Sequence, residues 1–318
     1  MLFRSNVMNL SGDLNKKNYI FNNIVWEKNN YLVRLGLTNH YFKSPSRMIF
    51  NKINTFCPQI VFIQDMNSVS IEMLKFMKSK KIILVGEIAS RIPPLKFLKK
   101  YDLIFSALPQ FVNYFRKNHL KSEYLPLAFN NAVLKKINLP VVRTIQISFV
   151  GSISSHRNET INLLKFLCKN VADFRIYGIA SKRDLLNNGL LDNYYGEAFG
   201  LKMYEVLSNS LITVNRHINL AGDFAANLRI YEATGMGSYL ITDYKPNLPL
   251  LLPNNSYSSY FSDNLNLIKN EIFNLVHYAQ ETQMKASIAQ AYTLKHHTYF
   301  NRVETFVKHL KRYKLIDE

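Results

Sequence analysis

The feature that most constrains this chain is the alternation of short apolar runs with amphipathic stretches of helical period. Runs such as Ile60–Ile63 and Ile82–Val85 are too short for helices and rich in β-branched residues. Apolar runs of this length predict strands buried on both faces, and alternation with helices predicts a parallel sheet. The pattern starts again at Ile147. We therefore predict an α/β protein with two Rossmann-like, doubly wound domains in series, followed by a helical C-terminal tail.

The boundaries follow from changes in composition. We place the first domain at residues 1–134, a polar, proline-containing linker at 135–146, and the second domain at 147–300. We predict that residues 301–318 form a basic amphipathic helix that packs back on the first domain. The alternative is that this helix binds an anionic membrane. Two such domains facing each other would set the carboxyl ends of both sheets across a cleft, where ligands bind.

Charge is unevenly distributed along the sequence. The 318 residues contain 40 Lys and Arg against 22 Asp and Glu, and residues 1–140 alone hold 21 of the former and 7 of the latter. This excess indicates an anionic partner, which can be nucleic acid, an acidic membrane surface or an acidic substrate. A hydrophobic content of 47% excludes a disordered chain.

Several functional classes lack their sequence signatures. Two cysteines, Cys57 and Cys168, make neither a disulfide framework nor a zinc site by themselves. The dinucleotide and Walker phosphate-binding motifs are missing, as are helix-turn-helix and RNA-binding signatures. No apolar run reaches the roughly 18 residues of a membrane span. We expect a cytoplasmic protein, with peripheral attachment to the inner membrane face left open.

Two segments of the second domain carry residues suited to phosphate chemistry. Gly151-Ser152 ends a predicted strand and precedes a helix, a position that binds phosphate or forms a simple tight turn. In the segment Asn227–Gly235, Arg229 and Glu232 are three residues apart and share a helix face. An arginine at a helix N-terminus suits a diphosphate, and a carboxylate one turn later suits ribose hydroxyls. A surface ion pair is the alternative.

Taken in order, these segments resemble bacterial glycosyltransferases of the spore-maturation (CgeB-like) type, which have the GT-B fold. The resemblance covers most of residues 147–302. It rests on these motifs: Phe149-Val150-Gly151, Arg157, Tyr177-Gly178, Gly196, Gly200, Met203-Tyr204, Leu207, Asn215-Arg216-His217, Asn227–Gly235, Thr242-Asp243, Asn247-Leu248, His297-Thr298-Tyr299 and Arg302.

The resemblance implies a nucleotide-sugar donor bound by the second domain and an acceptor bound mainly by the first. Glu232 matches the residue that contacts the donor ribose, Asn227 and Arg229 would face the diphosphate, and Asn215 and His217 would border the sugar. The full donor-binding set is Gly151, Ser152, Arg157, Tyr177, Gly178, Asn215, Asn227, Leu228, Arg229 and Glu232. Tyr177 and Gly178 would lie near the base. Arg157 is a second cation for the diphosphate or an ordinary solvated residue.

The reaction itself needs a stabilised leaving group and, if it inverts the anomeric centre, a general base. The sequence has no Asp-x-Asp triplet, so we expect a metal-independent reaction without a cofactor. Glu87 is the first choice of base and Asp65 the second, since each ends a predicted strand of the first domain. Both are also suited to helix capping or acceptor binding. His217 completes the catalytic set.

These observations predict a hexosyl or related transferase that acts on a glycan, lipid-linked or protein acceptor, as in bacterial cell-surface polysaccharide synthesis. The basic first domain would meet an anionic acceptor or an anionic membrane surface. Two alternatives remain at this stage. One is a basic nucleic-acid-binding protein without catalytic activity, and the other is a degenerate transferase that serves as a partner subunit.

Overall fold

A computed structural model describes residues 45–154, 157–261 and 264–317. These residues form two compact units, one of Leu127–Arg302 and one of residues 45–126 with 303–317. Each unit is built on its own parallel sheet, so the predicted pair of α/β domains is confirmed. No helix among the described residues is both long and apolar enough to cross a bilayer.

The first unit contains a four-stranded sheet in which all paired strands are parallel. Its strands are β1 (Ile60–Ile63), β2 (Ile83–Glu87), β3 (Leu103–Ser106) and β4 (Ser122–Tyr124). Its helices are α1 (Pro45–Phe56), α2 (Ile71–Ser79), α3 (Leu95–Leu98) and α4 (Pro109–Lys117). The strand order β1-β2-β3-β4 follows the sequence. Because crossovers between parallel strands are right-handed, the connecting helices are expected on one face of this sheet.

The second unit contains a five-stranded parallel sheet in the order β6-β5-β7-β8-β9. Its strands are β5 (Ile145–Val150), β6 (Phe174–Tyr177), β7 (Ser210–Asn215), β8 (Tyr239–Asp243) and β9 (Tyr257–Tyr260). Its helices are α5 (Asn158–Asn170), α6 (Lys182–Asn187), α7 (Leu201–Asn209), α8 (Leu228–Gly235), α9 (Leu248–Leu251), α10 (Leu265–His277) and α11 (Ala279–His296). A last helix, α12 (Tyr299–Arg312), follows.

Both faces of the second sheet are covered by helices. Phe149 belongs to a buried cluster with Leu163 of α5, whereas its neighbour Val150 belongs to another cluster with Leu207 of α7 and Ile230 of α8. Adjacent strand residues point to opposite faces, so helices pack on each side. This two-sided burial explains why the strands read as continuous apolar runs.

The open face of the first sheet is covered by the C-terminal helix. Phe306 and Leu310 of α12 form one buried cluster with Val85, Phe105 and Leu125. At the sheet edge, Glu123 of β4 accepts a hydrogen bond of 2.7 Å from the Tyr313 hydroxyl. The same carboxylate pairs with Arg116 and Arg312. Residues 303–317 thus belong to the first unit although the whole second unit separates them from it in the sequence.

The structure and the sequence divide the chain at different places. The chain passes from one unit to the other between Pro126 and Leu127, whereas composition predicts a linker at residues 135–146. Val133 and Ile137 are buried in the core of the second unit. Phe129 packs so closely on Gly235 that a β-carbon there would lie 2.5 Å from the ring. The sparse apolar residues of this polar stretch anchor it to the second domain, which its overall composition does not indicate.

Candidate functional site

The second sheet reverses its strand order between β5 and β7. The chain leaves β5 for its outer neighbour β6 and later returns to β7 on the other side. In open α/β sheets, ligands bind outside the carboxyl ends of the strands at this topological switch point. Here the two ends are Val150-Gly151-Ser152 and Asn215-Arg216-His217. The candidate site is therefore the crevice above these two ends, within one unit.

Two glycines shape the edge of the crevice next to β6. Gly178 has a φ of +125°, and a β-carbon there would lie 1.9 Å from the carbonyl oxygen of Gly151. The Gly151 N–H donates to the Tyr177 carbonyl at 3.0 Å, so the loops after β5 and β6 run in direct backbone contact. The Tyr177 side chain is buried, with its ring 5.8 Å from that of Tyr195. Arg157 lies exposed at the start of α5, and Ser152 is half-buried.

Asn227 joins helix α8 to the end of β7. Its Oδ1 accepts a hydrogen bond from the backbone N–H of Ile230 at 3.3 Å, which caps the helix N-terminus. Its Nδ2 donates to Oδ1 of Asn215 at 3.0 Å, and Nδ2 of Asn215 donates in turn to Thr242 at 2.8 Å. These side-chain amides fix the start of α8, including the half-buried Leu228, against the carboxyl ends of β7 and β8.

Arg229 and Glu232 form a buried ion pair beside the crevice. The Nη1–Oε2 distance is 2.9 Å, and the side chains are only 12% and 4% exposed, which excludes the surface ion pair left open by the sequence. Nε of Arg229 also donates to the Val150 carbonyl at the end of β5. Burial raises the pKa of Glu232, whereas Arg229 and the Tyr204 hydroxyl, which donates at 3.4 Å, act to lower it. Glu232 therefore holds the Arg229 guanidinium in place.

His217 and Asp243 form a second buried pair. His217 Nδ1 lies 2.7 Å from Asp243 Oδ1, which also accepts the His217 backbone N–H at 2.9 Å. Burial opposes ionisation of Asp243, but the bonds from His217 and the charge of Lys245 hold its pKa below the usual value. The ionised carboxylate requires a proton on Nδ1 of His217. Nε2 is left buried with no hydrogen-bond partner among the described residues. In the sequence, the only clue to the His217–Asp243 pair is the position of Asp243 at the end of a predicted strand.

A third pair, which the sequence did not reveal, crosses the crevice. Arg216, directly after β7, forms an ion pair with Glu159 in the first turn of α5. The Arg216 side chain is 9% exposed and that of Glu159 is 52% exposed. Nη1 of Arg216 also donates to the His217 carbonyl at 3.0 Å. In the sequence, the only clue to a role of Arg216 in the site is its position between Asn215 and His217.

The two first-domain carboxylates differ in their surroundings. Glu87 is the last residue of β2, is half-buried, and accepts a hydrogen bond from Nε2 of Gln64 at 2.9 Å. Burial raises the pKa of the Glu87 carboxyl, although the bond from Gln64 opposes the rise. Asp65 instead accepts the backbone N–H of Asn67 at 3.2 Å and caps a 3-10 turn. A groove in the same unit is lined by Asn67, Arg91, Pro93 and Tyr114.

Over the described part of the chain, no three His, Cys, Asp or Glu side chains are grouped so that they could hold a metal ion. The expectation of a reaction without metal or cofactor stays a prediction.

Similarity to known proteins agrees with this geometry. Residues 157–308 match the family model described as glycosyl transferase-like, and no curated protein matches the sequence. The structure of HepE from Anabaena with UDP-glucose has a TM-score of 0.62 at 9% identity and covers 84% of this chain and 82% of its own. Sucrose-phosphate synthase from Thermosynechococcus elongatus has a TM-score of 0.59 at 11% identity, with coverages of 84% and 76%.

A glycosyltransferase from Rickettsia africae aligns over 95% of this chain and 87% of its own, with a TM-score of 0.57 at 13% identity. Identities this low show the fold alone, and the spore-maturation subtype stays a prediction. Residues 157–308 thus match a glycosyl transferase-like family model, and the two parallel-sheet α/β units match a fold of the GT-B class.

Proposed function

We propose that this protein is a metal-independent glycosyltransferase that moves a sugar from a nucleotide-sugar donor to a glycan, lipid-linked or protein acceptor. The observation that carries the proposal is the buried Arg229–Glu232 pair at the N-terminus of α8, bonded to the end of β5 at the switch point. The family match over residues 157–308 favours sugar transfer over nucleic-acid binding. Retention of a complete ion pair favours an active enzyme over a degenerate subunit.

The proposed chemistry centres on the leaving diphosphate. As the bond between the anomeric carbon and the diphosphate breaks, negative charge grows on the phosphate oxygens. Arg229 faces that charge together with the N–H groups at the start of α8, and Arg157 is a second cation. Since Val150 and Glu232 already hold the Arg229 guanidinium, little reorganisation is needed during the reaction. Asn215 and His217 border the sugar, and Tyr177 with Gly178 lies near the base.

We propose a hexosyl donor linked to a uridine diphosphate as the first to test. The support comes from HepE, which has a similar fold and whose structures hold UDP-glucose and UDP. The acceptor hydroxyl must lose a proton as its oxygen bonds to the anomeric carbon. Glu87 is the proposed base, because its raised pKa brings it closer to that of an effective base at neutral pH.

The donor test is a thermal-shift screen with UDP-, GDP-, CMP- and dTDP-sugars. A true donor at about 100 times its Kd adds about 2.7 kcal/mol to the free energy of unfolding. We expect one nucleotide class to raise the Tm of the wild type and to fail with Arg229→Met. The double variant Arg229→Met/Glu232→Gln, which leaves no buried charge unpaired, should fail equally.

Arg183→Met is the matched control, since Arg183 is an exposed arginine of the same unit. It should respond as the wild type does. A wild type that neither responds to any member of the panel nor hydrolyses one contradicts the proposal.

The basic N-terminal part of the chain supports an anionic acceptor or membrane surface, since residues 1–140 hold 21 basic against 7 acidic side chains. A basic protein gains about 1 kcal/mol for each Lys or Arg close to an anionic bilayer. The full-length protein should sediment with phosphatidylglycerol vesicles at low salt and be released at high salt. Equal binding to phosphatidylcholine vesicles, or none to either, would remove the membrane from this proposal.

A further inference from the structure

We propose that Glu159 is an internal competitor of the donor: its carboxylate pairs with Arg216 and gives way to the donor diphosphate. Arg216 then becomes a diphosphate-binding residue in addition to Arg229. This inference rests on the proposed function and deepens it.

The Glu159–Arg216 ion pair lies at the topological switch point of the second sheet. Glu159 lies in the first turn of α5, the helix that follows β5, and Arg216 follows β7. Their ion pair therefore bridges the carboxyl ends of the two strands between which the sheet order reverses. An anion that enters this crevice meets the guanidinium where the Glu159 carboxylate now lies.

The two partners differ in their exposure to solvent. Arg216 is 9% exposed and bonded to the His217 carbonyl, so its cation is fixed and needs a negative partner. Glu159 is 52% exposed and can return to water at little cost. Glu232, the carboxylate partner of Arg229, is 4% exposed and bonded to Tyr204, so it cannot leave in this way. Of these two pairs, the pair of Arg216 is the exchangeable one.

A second observation at this strand end points to a bound ligand or an ordered water. Nε2 of His217, the next residue, is buried with no hydrogen-bond partner among the described residues. Polar atoms buried to this degree are nearly always paired, and exceptions mark functional sites or bound water. A diphosphate sugar bound at Arg216 would bring hydroxyl and phosphate oxygens to the same strand end.

The exchange makes a prediction that opposes the usual effect of a mutation at a binding site. Glu159→Gln removes the competing charge, so the variant should bind UDP about fivefold more tightly than the wild type, in the range of partly exposed ion pairs. The gain should shrink as salt rises. Uridine, which has no phosphate, should bind wild type and variant equally. Isothermal titration calorimetry at low and high salt measures each affinity.

The chain offers a closely matched control. Glu281 lies in the first turn of α11, is 55% exposed, and pairs with Lys285. Glu281→Gln therefore removes the same charge from the same kind of position away from the crevice, and UDP affinity should not change. Arg216→Gln should weaken UDP binding. The double variant Arg216→Gln/Glu159→Gln should bind UDP no more tightly than Arg216→Gln alone.

The outcomes separate the two proposals. If wild type binds UDP and Glu159→Gln leaves the affinity unchanged or lower, the competitor role is overturned while the donor proposal stands. An equal gain in Glu281→Gln overturns it as well, since the effect would then be one of net charge. Failure of the wild type to bind UDP overturns the competitor role for this nucleotide, and failure with the entire donor panel overturns both.

Discussion

Replacing Glu87 by glutamine is expected to lower kcat by about 100-fold or more, the usual effect of removing a general base. Glutamine keeps the shape of the side chain and can still accept the hydrogen bond from Gln64, but it cannot take a proton. In the wild type, kcat should rise with pH as the Glu87 carboxyl ionises. Since burial raises its pKa above the ordinary 4.5, this rise lies above the range of a solvent-exposed glutamate. It should vanish in Glu87→Gln.

The Glu87→Gln substitution should not lower the stability of the protein, although it lowers kcat. A carboxyl whose pKa is raised in the folded state keeps its proton to higher pH than it does in the unfolded chain. The carboxyl therefore favours folding below about pH 4.5, and this contribution is lost as pH rises through the folded-state pKa. Above its folded-state pKa the ionised Glu87 carboxylate costs stability, so in that pH range Glu87→Gln should have a Tm equal to or above that of the wild type. Loss of activity then cannot be ascribed to unfolding.

Asp65→Asn separates the two candidate bases. Asp65 caps a 3-10 turn by accepting the Asn67 N–H, and asparagine caps such turns equally well. This variant should keep nearly full activity if Glu87 is the base. A large loss in Asp65→Asn together with near-normal activity in Glu87→Gln would transfer the role to Asp65. Normal activity in both would indicate a reaction that retains the anomeric configuration and needs no such base.

The fold was accessible from sequence because its signals are local and repeated. Each strand, such as Ile60–Ile63 or Phe174–Tyr177, is a short apolar run next to a helical pattern, and parallel sheets of this kind follow from the alternation. The boundary between the units was not accessible, because it depends on a few tertiary contacts. Phe129 against Gly235 is one of them, and nothing in the spacing of these residues reveals it.

In the candidate site, too, the sequence predicted local relationships but not pairs between distant elements. The Arg229–Glu232 pair was accessible because residues three apart share a helix face, and the structure places these two side chains 2.9 Å apart. The resemblance names Asn227 as a residue that faces the diphosphate, whereas its capping of α8 appears only in the structure. Arg216 with Glu159 and His217 with Asp243 join residues more than 25 positions apart on different elements. Such pairs are set by the strand order, which the alternation of elements does not specify. The exposure that makes Glu159 exchangeable is also a tertiary property.

Gly178→Ala should produce the largest loss of stability among the substitutions considered. A β-carbon at this position would lie 1.9 Å from the Gly151 carbonyl oxygen, and the backbone has a φ of +125° that disfavours any side chain. The obstacle is backbone, so no side chain can turn aside to relieve it. The loops after β5 and β6 must separate, which also breaks the bond from the Gly151 N–H to the Tyr177 carbonyl. We expect a loss of at least about 3 kcal/mol in the free energy of unfolding.

Gly189→Ala is the control that isolates the close contact from the backbone conformation. Gly189 also has a positive φ, +63°, but no atom lies within 4 Å of its β-carbon position. It should lose only the 1–2 kcal/mol or so that a left-handed conformation costs an alanine. Chemical denaturation of both variants measures the difference, and equal losses would show that the contact between the two loops contributes nothing. Because Gly151 borders the crevice, Gly178→Ala should also weaken donor binding at temperatures where the variant remains folded, whereas Gly189→Ala should bind the donor normally.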